Sequence, residues 1–233
     1  MITEEMICAN LENVNKRIGD ACRRAGRSIC DVKLIAVSKM NPTEAVMYAA
    51  DHGQMIFGEN KVQELCEKQD ELAALGYDKA KALEWHLIGH LQTNKVKYVI
   101  GRVAMIHSVD SVKLAEQIDK ESARKGIVTD ILLELNISGE ESKFGLKPEE
   151  ALYAVSNIAR FENVRIMGLM TVPPATEDPE ENRVYFRKLS DLSVDIGSKN
   201  IDNVNMSVLS MGMTNDYMVA IEEGATMVRV GTG

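Results

Sequence analysis

The chain has 233 residues, 45% of them hydrophobic and only 5% aromatic, with a formal net charge of −8. That length suits one large α/β barrel, so a single domain over 1–233 is expected, and the acidic balance, without Lys and Arg runs backed by aromatics, argues against nucleic acid as a partner. No apolar run reaches the ~20 residues that cross a bilayer, the opening segment with Glu4, Glu5, Glu12, Lys16 and Arg17 lacks the apolar stretch of a secretory signal, and Cys8, Cys22, Cys30 and Cys66 without CxxC spacing read as reduced thiols; a cytoplasmic protein with no membrane partner is the expectation.

Residues 3–25 place Met6, Leu11, Val14, Ile18 and Cys22 at steps of mostly three and four, which predicts an amphipathic helix ended by Gly26. Beyond it, eight short apolar runs rich in Val, Ile and Leu read as strands: 32–38, 55–57, 84–88, 105–107, 130–137, 165–170, 205–209 and 227–230. Segments of helical composition lie between them near 42–52, 60–74, 92–99, 111–125, 148–160, 179–196 and 215–223. Strands alternating with helices imply parallel strands and crossovers. Eight of them, with seven helices between and one before, fit a single (β/α)8 TIM barrel with an additional N-terminal helix better than an open sheet.

In such a barrel the functional groups stand just past the carboxyl ends of the strands. Lys39 follows the first run, Asn60 the second, His90 the third and Ser108 the fourth; Asn136 falls in the fifth, and Arg229 with Gly231 closes the eighth. Burial of Lys39 at that rim would favour the free amine, the form that attacks an aldehyde. Residues 210–216, Ser-Met-Gly-Met-Thr-Asn-Asp, read as strand, glycine turn and a helix capped by Thr214, a natural phosphate seat. Residues 228–233, Val-Arg-Val-Gly-Thr-Gly, end the last strand in a second glycine turn, where barrels often bind phosphate. An amine at strand one with a two-part phosphate seat at strands seven and eight suits a phosphorylated aldehyde.

His86 and His90 are four apart, but 85–88 reads as strand and no acidic or cysteine partner stands at ligand spacing, so no metal is expected. Glu59 reads as structurally paired, with Lys61 or Lys95. The acidic run 177–181 reads as a solvated loop leading into a helix.

Residues 34–39 (LIAVSK), 57–64 (FGENKVQE), 85–95 (WHLIGHLQTNK), 138–145 (SGEESKFG), 168–171 (GLMT) and 210–213 (SMGM) through 229–232 (RVGT) together resemble the pyridoxal phosphate homeostasis proteins, in order and over nearly the whole chain. The resemblance implies a barrel like the N-terminal domain of alanine racemase, with pyridoxal 5'-phosphate (PLP) held as a Schiff base on Lys39. It also implies that Ser210, Thr214, Gly231 and Thr232 hold the phosphate, that Arg229 faces the pyridine nitrogen and that Asn60 lies near the ring. The sequence departs from the family in two places: serine commonly stands where this chain has Thr214, which keeps the hydroxyl, and members usually continue several residues past Gly233. A guanidinium offers donors only and stays charged, so a nitrogen opposite Arg229 must accept and the ring becomes a weaker electron sink.

The expectation is therefore a non-catalytic monomer that binds, buffers or delivers PLP, with PLP-dependent apo-enzymes as recipients. Alanine racemase uses a tyrosine from a second domain as its opposite acid, and no residues remain for such a domain. Two alternatives stand beside it: a lone-barrel amino-acid racemase using one of the six tyrosines, Ser108 or His90, and a Schiff-base aldolase with no cofactor, which would purify colourless.

Overall fold

Runs of Val, Ile and Leu that bury both faces of a strand suit parallel sheet covered on each side, and the computed structural model, which describes residues 3–140 and 142–231, contains eight of them. The strands are β1 (Lys33–Val37), β2 (Ile56–Glu59), β3 (Glu84–Leu87), β4 (Met105–Val109), β5 (Thr129–Glu134), β6 (Val164–Met170), β7 (Val204–Met213) and β8 (Met227–Val230). All neighbours are parallel, and β1 closes the barrel on β8 with Lys33 to Ala36 registered against Met227 to Val230. This is the expected (β/α)8 barrel.

The outer ring consists of α1 (Glu4–Arg24), α2 (Thr43–Asp51), α3 (Val62–Ala74), α4 (Val96–Val99), α5 (Val112–Lys125), α6 (Ala151–Ile158), α7 (Arg183–Ser198) and α8 (Tyr217–Glu222). The added first helix is capped by Thr3, whose hydroxyl accepts from the Met6 amide, and carries Glu4 and Glu5 in its first turn and Arg23 and Arg24 in its last, the charge order that suits a helix dipole. Val14, Ile18, Ala21 and Cys22 form its buried face, while Met6 stays half exposed at 53%. Arg27, just beyond, fastens α1 to the end of α8 by donating to the Ile221 and Ala225 carbonyls at 2.7 and 2.8 Å.

Period-two alternation sorts the strand residues. Ile35, Met105, Leu132, Met170, Val208 and Met227 form a separate apolar cluster, whereas Leu34, Trp85, Leu87, Ile106, Leu133, Leu209 and Val228 pack into the larger one that includes the helices. Each fully buried aliphatic chain contributes roughly 1.5–3 kcal/mol. Two residues on from Met105, Val208 and Met227 along the same strands stand His107, Ser210 and Arg229, all buried, so this side of the strands turns polar towards their carboxyl ends.

Several boundaries differ from the sequence reading, three of them around the carboxyl-terminal mouth. The segment near 92–99 is a 3-10 turn (Thr93–Lys95) followed by a single α-turn. β5 stops at Glu134, short of residue 137, because the chain then turns into a loop that returns at Leu146. β7 runs four residues past the expected end, since Ser210 and Met213 still pair with Met227 and Arg229 across an irregular register. Among the described residues no helix is long and apolar enough to cross a membrane.

Candidate functional site

Past the carboxyl ends of the strands lies a cavity of about 490 Å³ whose wall includes Lys39, Asn60, His90, Glu134, Lys143, Phe144, Thr214, Arg229 and Gly231, within the usual range for a small-molecule site. A second cavity, of about 120 Å³ between α1, α2 and β1, has no titratable side chain in its wall and offers little chemistry. Five of the seven residues expected to hold the cofactor therefore share one wall, Lys39, Asn60, Thr214, Arg229 and Gly231, and His90 joins them there. Ser210 does not line it, and Thr232 lies outside the described residues.

Lys39 sits two residues beyond β1 and is exposed, so the expectation of a buried amine is corrected: the lysine stands at an open mouth. Its neighbours are the fixed points. The Ser38 hydroxyl donates to Glu59 Oε1 at 2.6 Å, and Lys68 Nζ donates to the Ser38 carbonyl and to Glu59 Oε1, each at 2.6 Å. On the other side, the Met40 amide donates to Glu64 Oε1 at 2.6 Å, and Lys68 reaches that carboxylate at 2.9 Å. Glu59 thus pairs with Lys68, not with Lys61 or Lys95. The pairing exists because α3 lays Glu64 and Lys68, one turn apart, against the end of β1.

Beside the end of β1, on the β8 side of the mouth, Thr214 and Gly231 meet, the Gly231 amide donating to Thr214 Oγ1 at 3.4 Å. The expected cap at Thr214 is instead Asp216, which precedes α8; its Oδ1 accepts from the Met213 amide and its Oδ2 from Asn182 Nδ2. Gly212 makes the bend in β7 and its close approach to α8 possible. It adopts φ +91°, and a Cβ there would lie 2.6 Å from Ala220 Cβ and 2.8 Å from Tyr217 Cα, so no other residue fits without moving α8.

Arg229, only 4% exposed, crosses the floor of the cavity. Its Nη1 donates to Ser210 Oγ at 2.6 Å and its Nη2 to the Thr171 carbonyl at 2.9 Å. Burial lowers its guanidinium pKa to about 10, against the opposing pull of Asp216 and Glu134. Ser210, expected at a phosphate, is fully buried and shares its hydroxyl between Arg229 and His107 Nδ1 at 2.8 Å, so it supports the cation from beneath.

Sequence reasoning passed over Glu134, read as part of an apolar strand. Its carboxyl is 8% exposed, lines the cavity, and has one oxygen, Oε2, with no hydrogen-bond partner among the described residues. Burial, with Asp110 adding to it and Arg229 opposing, raises its pKa to about 7. An unfolded glutamate titrates near ~4.3, so the folded state holds the extra proton between the two values. The contribution of this neutral carboxyl is complete below the unfolded pKa and is lost as pH rises through about 7. Glu134→Gln is therefore expected to stabilise the ligand-free protein at pH 8 by up to roughly 2–3 kcal/mol, with no gain at pH 4. Urea unfolding at both pH values measures it; equal shifts would show that Glu134 is not the titrating group.

The loop after β5 covers one side of the mouth. Asn136 organises it, donating to the Glu140 carbonyl at 2.8 Å and accepting from the Gly139 amide at 3.0 Å. Phe144 stacks on His90 with centroids 3.9 Å apart and planes 14° from parallel, and His90 Nδ1 stands 3.3 Å from Asp110. Lys143 is held 3.0 Å from Glu140. Ser108 is spent within the fold, its hydroxyl donating to the Gly89 carbonyl at 2.6 Å.

An open-mouthed primary amine, a hydroxyl beside a glycine amide, and a buried guanidinium form a set able to condense with an aldehyde, hold an anion and donate to a ring acceptor. The family described as "Alanine racemase, N-terminal domain" matches residues 9–233. A pyridoxal phosphate homeostasis protein of Aquifex aeolicus is 45% identical over 225 residues, 97% of this chain and 95% of that protein. Among solved structures, one described as "an unknown protein from Bifidobacterium adolescentis" superimposes with a TM-score of 0.93 at 36% identity, covering 100% of this chain and 96% of that one. PipY of Synechococcus elongatus, solved with PLP bound, gives a TM-score of 0.79 at 33% identity over 92% of this chain and 98% of its own.

Proposed function

Because the chain belongs to the pyridoxal phosphate homeostasis proteins, a branch of the alanine racemase N-terminal domain family, we propose that it holds pyridoxal 5'-phosphate in this cavity, as a Schiff base on Lys39, for binding, buffering or delivery of the cofactor. The observation that carries the reading is the buried Arg229. Two of a guanidinium's five N–H groups are taken by Ser210 and Thr171, and the cation still borders the cavity, which suits a ligand that brings an acceptor. A pyridine nitrogen is such an acceptor. Thr214 and the Gly231 amide suit the phosphate, with Thr232 beyond them in sequence, and Asn60 borders the ring. When bound, the cofactor supplies an electrophilic aldehyde carbon and an aromatic electron sink.

The chain's own residues favour holding over turnover. Arg229 donates and keeps its charge, which leaves a ring nitrogen unprotonated. No tyrosine borders the cavity among the described residues, and Ser108 is engaged with Gly89, so of the racemase alternative's opposite acids only His90 remains at the wall. Free Cys8, Cys22, Cys30 and Cys66 are in keeping with the cytoplasm, where a monomer handing PLP to apo-enzymes completes the reading.

The test is an absorbance spectrum of the purified protein with PLP, before and after borohydride, followed by peptide mapping. A visible band that borohydride converts to a fixed label on Lys39 is expected. A colourless protein that takes up no PLP overturns the reading in favour of a cofactor-free aldolase. Exchange of a substrate α-proton at ~1 per second or faster, a rate typical of enzymes, would overturn the holding role.

A further inference from the structure

A column of polar side chains crosses the interior of the barrel. It starts at Glu84, the first residue of β3, in the wall of a cavity of about 700 Å³ that also includes Lys33, Met105, Asp130 and Met227, residues at or near the amino-terminal ends of their strands. Glu84 Oε1 lies 2.8 Å from His86 Nε2; His86 Nδ1 lies 2.7 Å from His107 Nε2; His107 Nδ1 lies 2.8 Å from Ser210 Oγ; and Ser210 Oγ accepts from Arg229 Nη1 at 2.6 Å. His86, His107 and Ser210 are each fully buried, whereas the Glu84 side chain is 37% exposed. Nothing in the fold requires five polar groups from four strands to be strung end to end through an apolar interior.

The chemistry of the two ends sets the direction of every link. Arg229 has only donors, and a carboxylate has only acceptors. Ser210, having accepted from Arg229, gives its own hydrogen to His107 Nδ1. His107 then carries its proton on Nε2 and donates to His86 Nδ1, and His86 carries its proton on Nε2 and donates to Glu84. Burial, with His86 and Arg229 nearby, holds the His107 imidazole well below its ordinary pKa, in keeping with a single proton on that ring. His86 and, more weakly, Lys33 at 3.8 Å hold the Glu84 carboxyl below the usual carboxylate range.

We propose that Glu84 is a positioning residue for the cofactor pocket at the far end of the barrel: through His86, His107 and Ser210 it fixes the direction in which Arg229 donates, and hence which guanidinium N–H groups remain for the ring nitrogen of PLP. The role rests on the PLP reading given above. Without the acceptor at Glu84, the two imidazoles are free to switch tautomer together, His86 Nδ1 then donating to His107 Nε2 and His107 Nδ1 carrying a proton towards Ser210. Ser210 then faces two donors, and the grip on Arg229 slackens.

Two measurements decide it. In the protein without cofactor, ¹⁵N NMR of the imidazoles, assigned with His86→Gln and His107→Gln, is expected to show a single proton on Nε2 in both rings. A proton on Nδ1 of either ring overturns the proposal. With PLP, Glu84→Ala is expected to weaken binding by about five- to tenfold and to shift the visible band. Glu84→Gln, which keeps an acceptor oxygen, should restore both towards wild type, and Asp130→Asn, in the same cavity wall, should change neither. A general loss of packing would not be rescued by the amide, because its thermal stability would follow the alanine variant. Glu84→Ala matching Asp130→Asn in affinity and band overturns the role of Glu84, whereas wild-type protein that takes up no PLP overturns the functional reading itself.

Discussion

Lys39→Ala is expected to abolish the visible band of the PLP-loaded protein and the label fixed by borohydride, and to weaken retention of the cofactor on the order of 100-fold. The amine is the group in the cavity wall that stands free at the mouth with its backbone clamped on both sides, Ser38 by Glu59 and Lys68, Met40 by Glu64. Alanine leaves that clamp intact, so the fold should be unchanged and the loss local. Thr214, the Gly231 amide and Arg229 remain in the wall, and non-covalent uptake of PLP at higher concentration should survive. The competing amine is Lys143, in the same wall, its Nζ 3.0 Å from Glu140 Oε1 but buried without a hydrogen-bond partner among the described residues. A band of undiminished strength in the Lys39→Ala protein, with the label mapped to residue 143, would refute the assignment of the anchoring lysine. Retention of the phosphate group can be followed separately by competition with inorganic phosphate, which should displace PLP from the variant more readily than from wild type.

How the chain folds was legible because the strands are largely buried on both faces, with exposed positions such as Lys33, Arg165, Asn205 and Ser207 near their amino-terminal ends, and each helix on one, so short apolar runs alternate with helical periods along the sequence. The barrel's eighth strand was read with its observed bounds, since Met227 to Val230 stands between Gly224 and Gly231. β7 was read too short because Gly212 looks like a turn; in the structure it is a bend within a strand that still pairs with β8. At the site, residues next to strand ends could be placed from sequence alone, because the barrel converts position along a strand into position at the mouth. Ser210 shows the limit of that rule. It lies near a strand end, yet it shares a side of the sheet with Val208 two residues earlier and is buried beneath Arg229. Parity along the strand would have found it, and His107 and Glu134 with it: they stand two residues on from Met105 and Leu132 of the inner cluster, on the same side of their strands. Lys68 carried only the i,i+4 spacing to Glu64; its buried partners come from β2 and the end of β1, and only the packing of α3 brings them together.

That lysine carries the other large effect. Glu59 is fully buried and Lys68 nearly so, and their 2.6 Å contact is supplemented by Ser38 at both its hydroxyl and its carbonyl. Burial pushes the Glu59 carboxyl upward in pKa, and the hydrogen bonds from Lys68 and Ser38 pull it down without fully offsetting the burial. Lys68→Met leaves that carboxyl buried without its cation, which typically costs about 3–5 kcal/mol, or roughly 6–20 °C in Tm for a chain of this size. The cost should shrink at acid pH, where Glu59 takes up a proton and no longer needs the ammonium. Glu59→Gln combined with Lys68→Met removes the stranded charge while Gln keeps an acceptor for the Ser38 hydroxyl, so the double variant should recover a large part of the loss, with the coupling read from a double-mutant cycle. Thermal melts of the four proteins at pH 5 and pH 8 measure it. Additive losses at both pH values would mean that the pair does not act as a unit. Since the same contacts hold Ser38, the Lys68→Met protein should also show a broadened visible band with PLP, as the lysine next in the chain loses its fixed starting point.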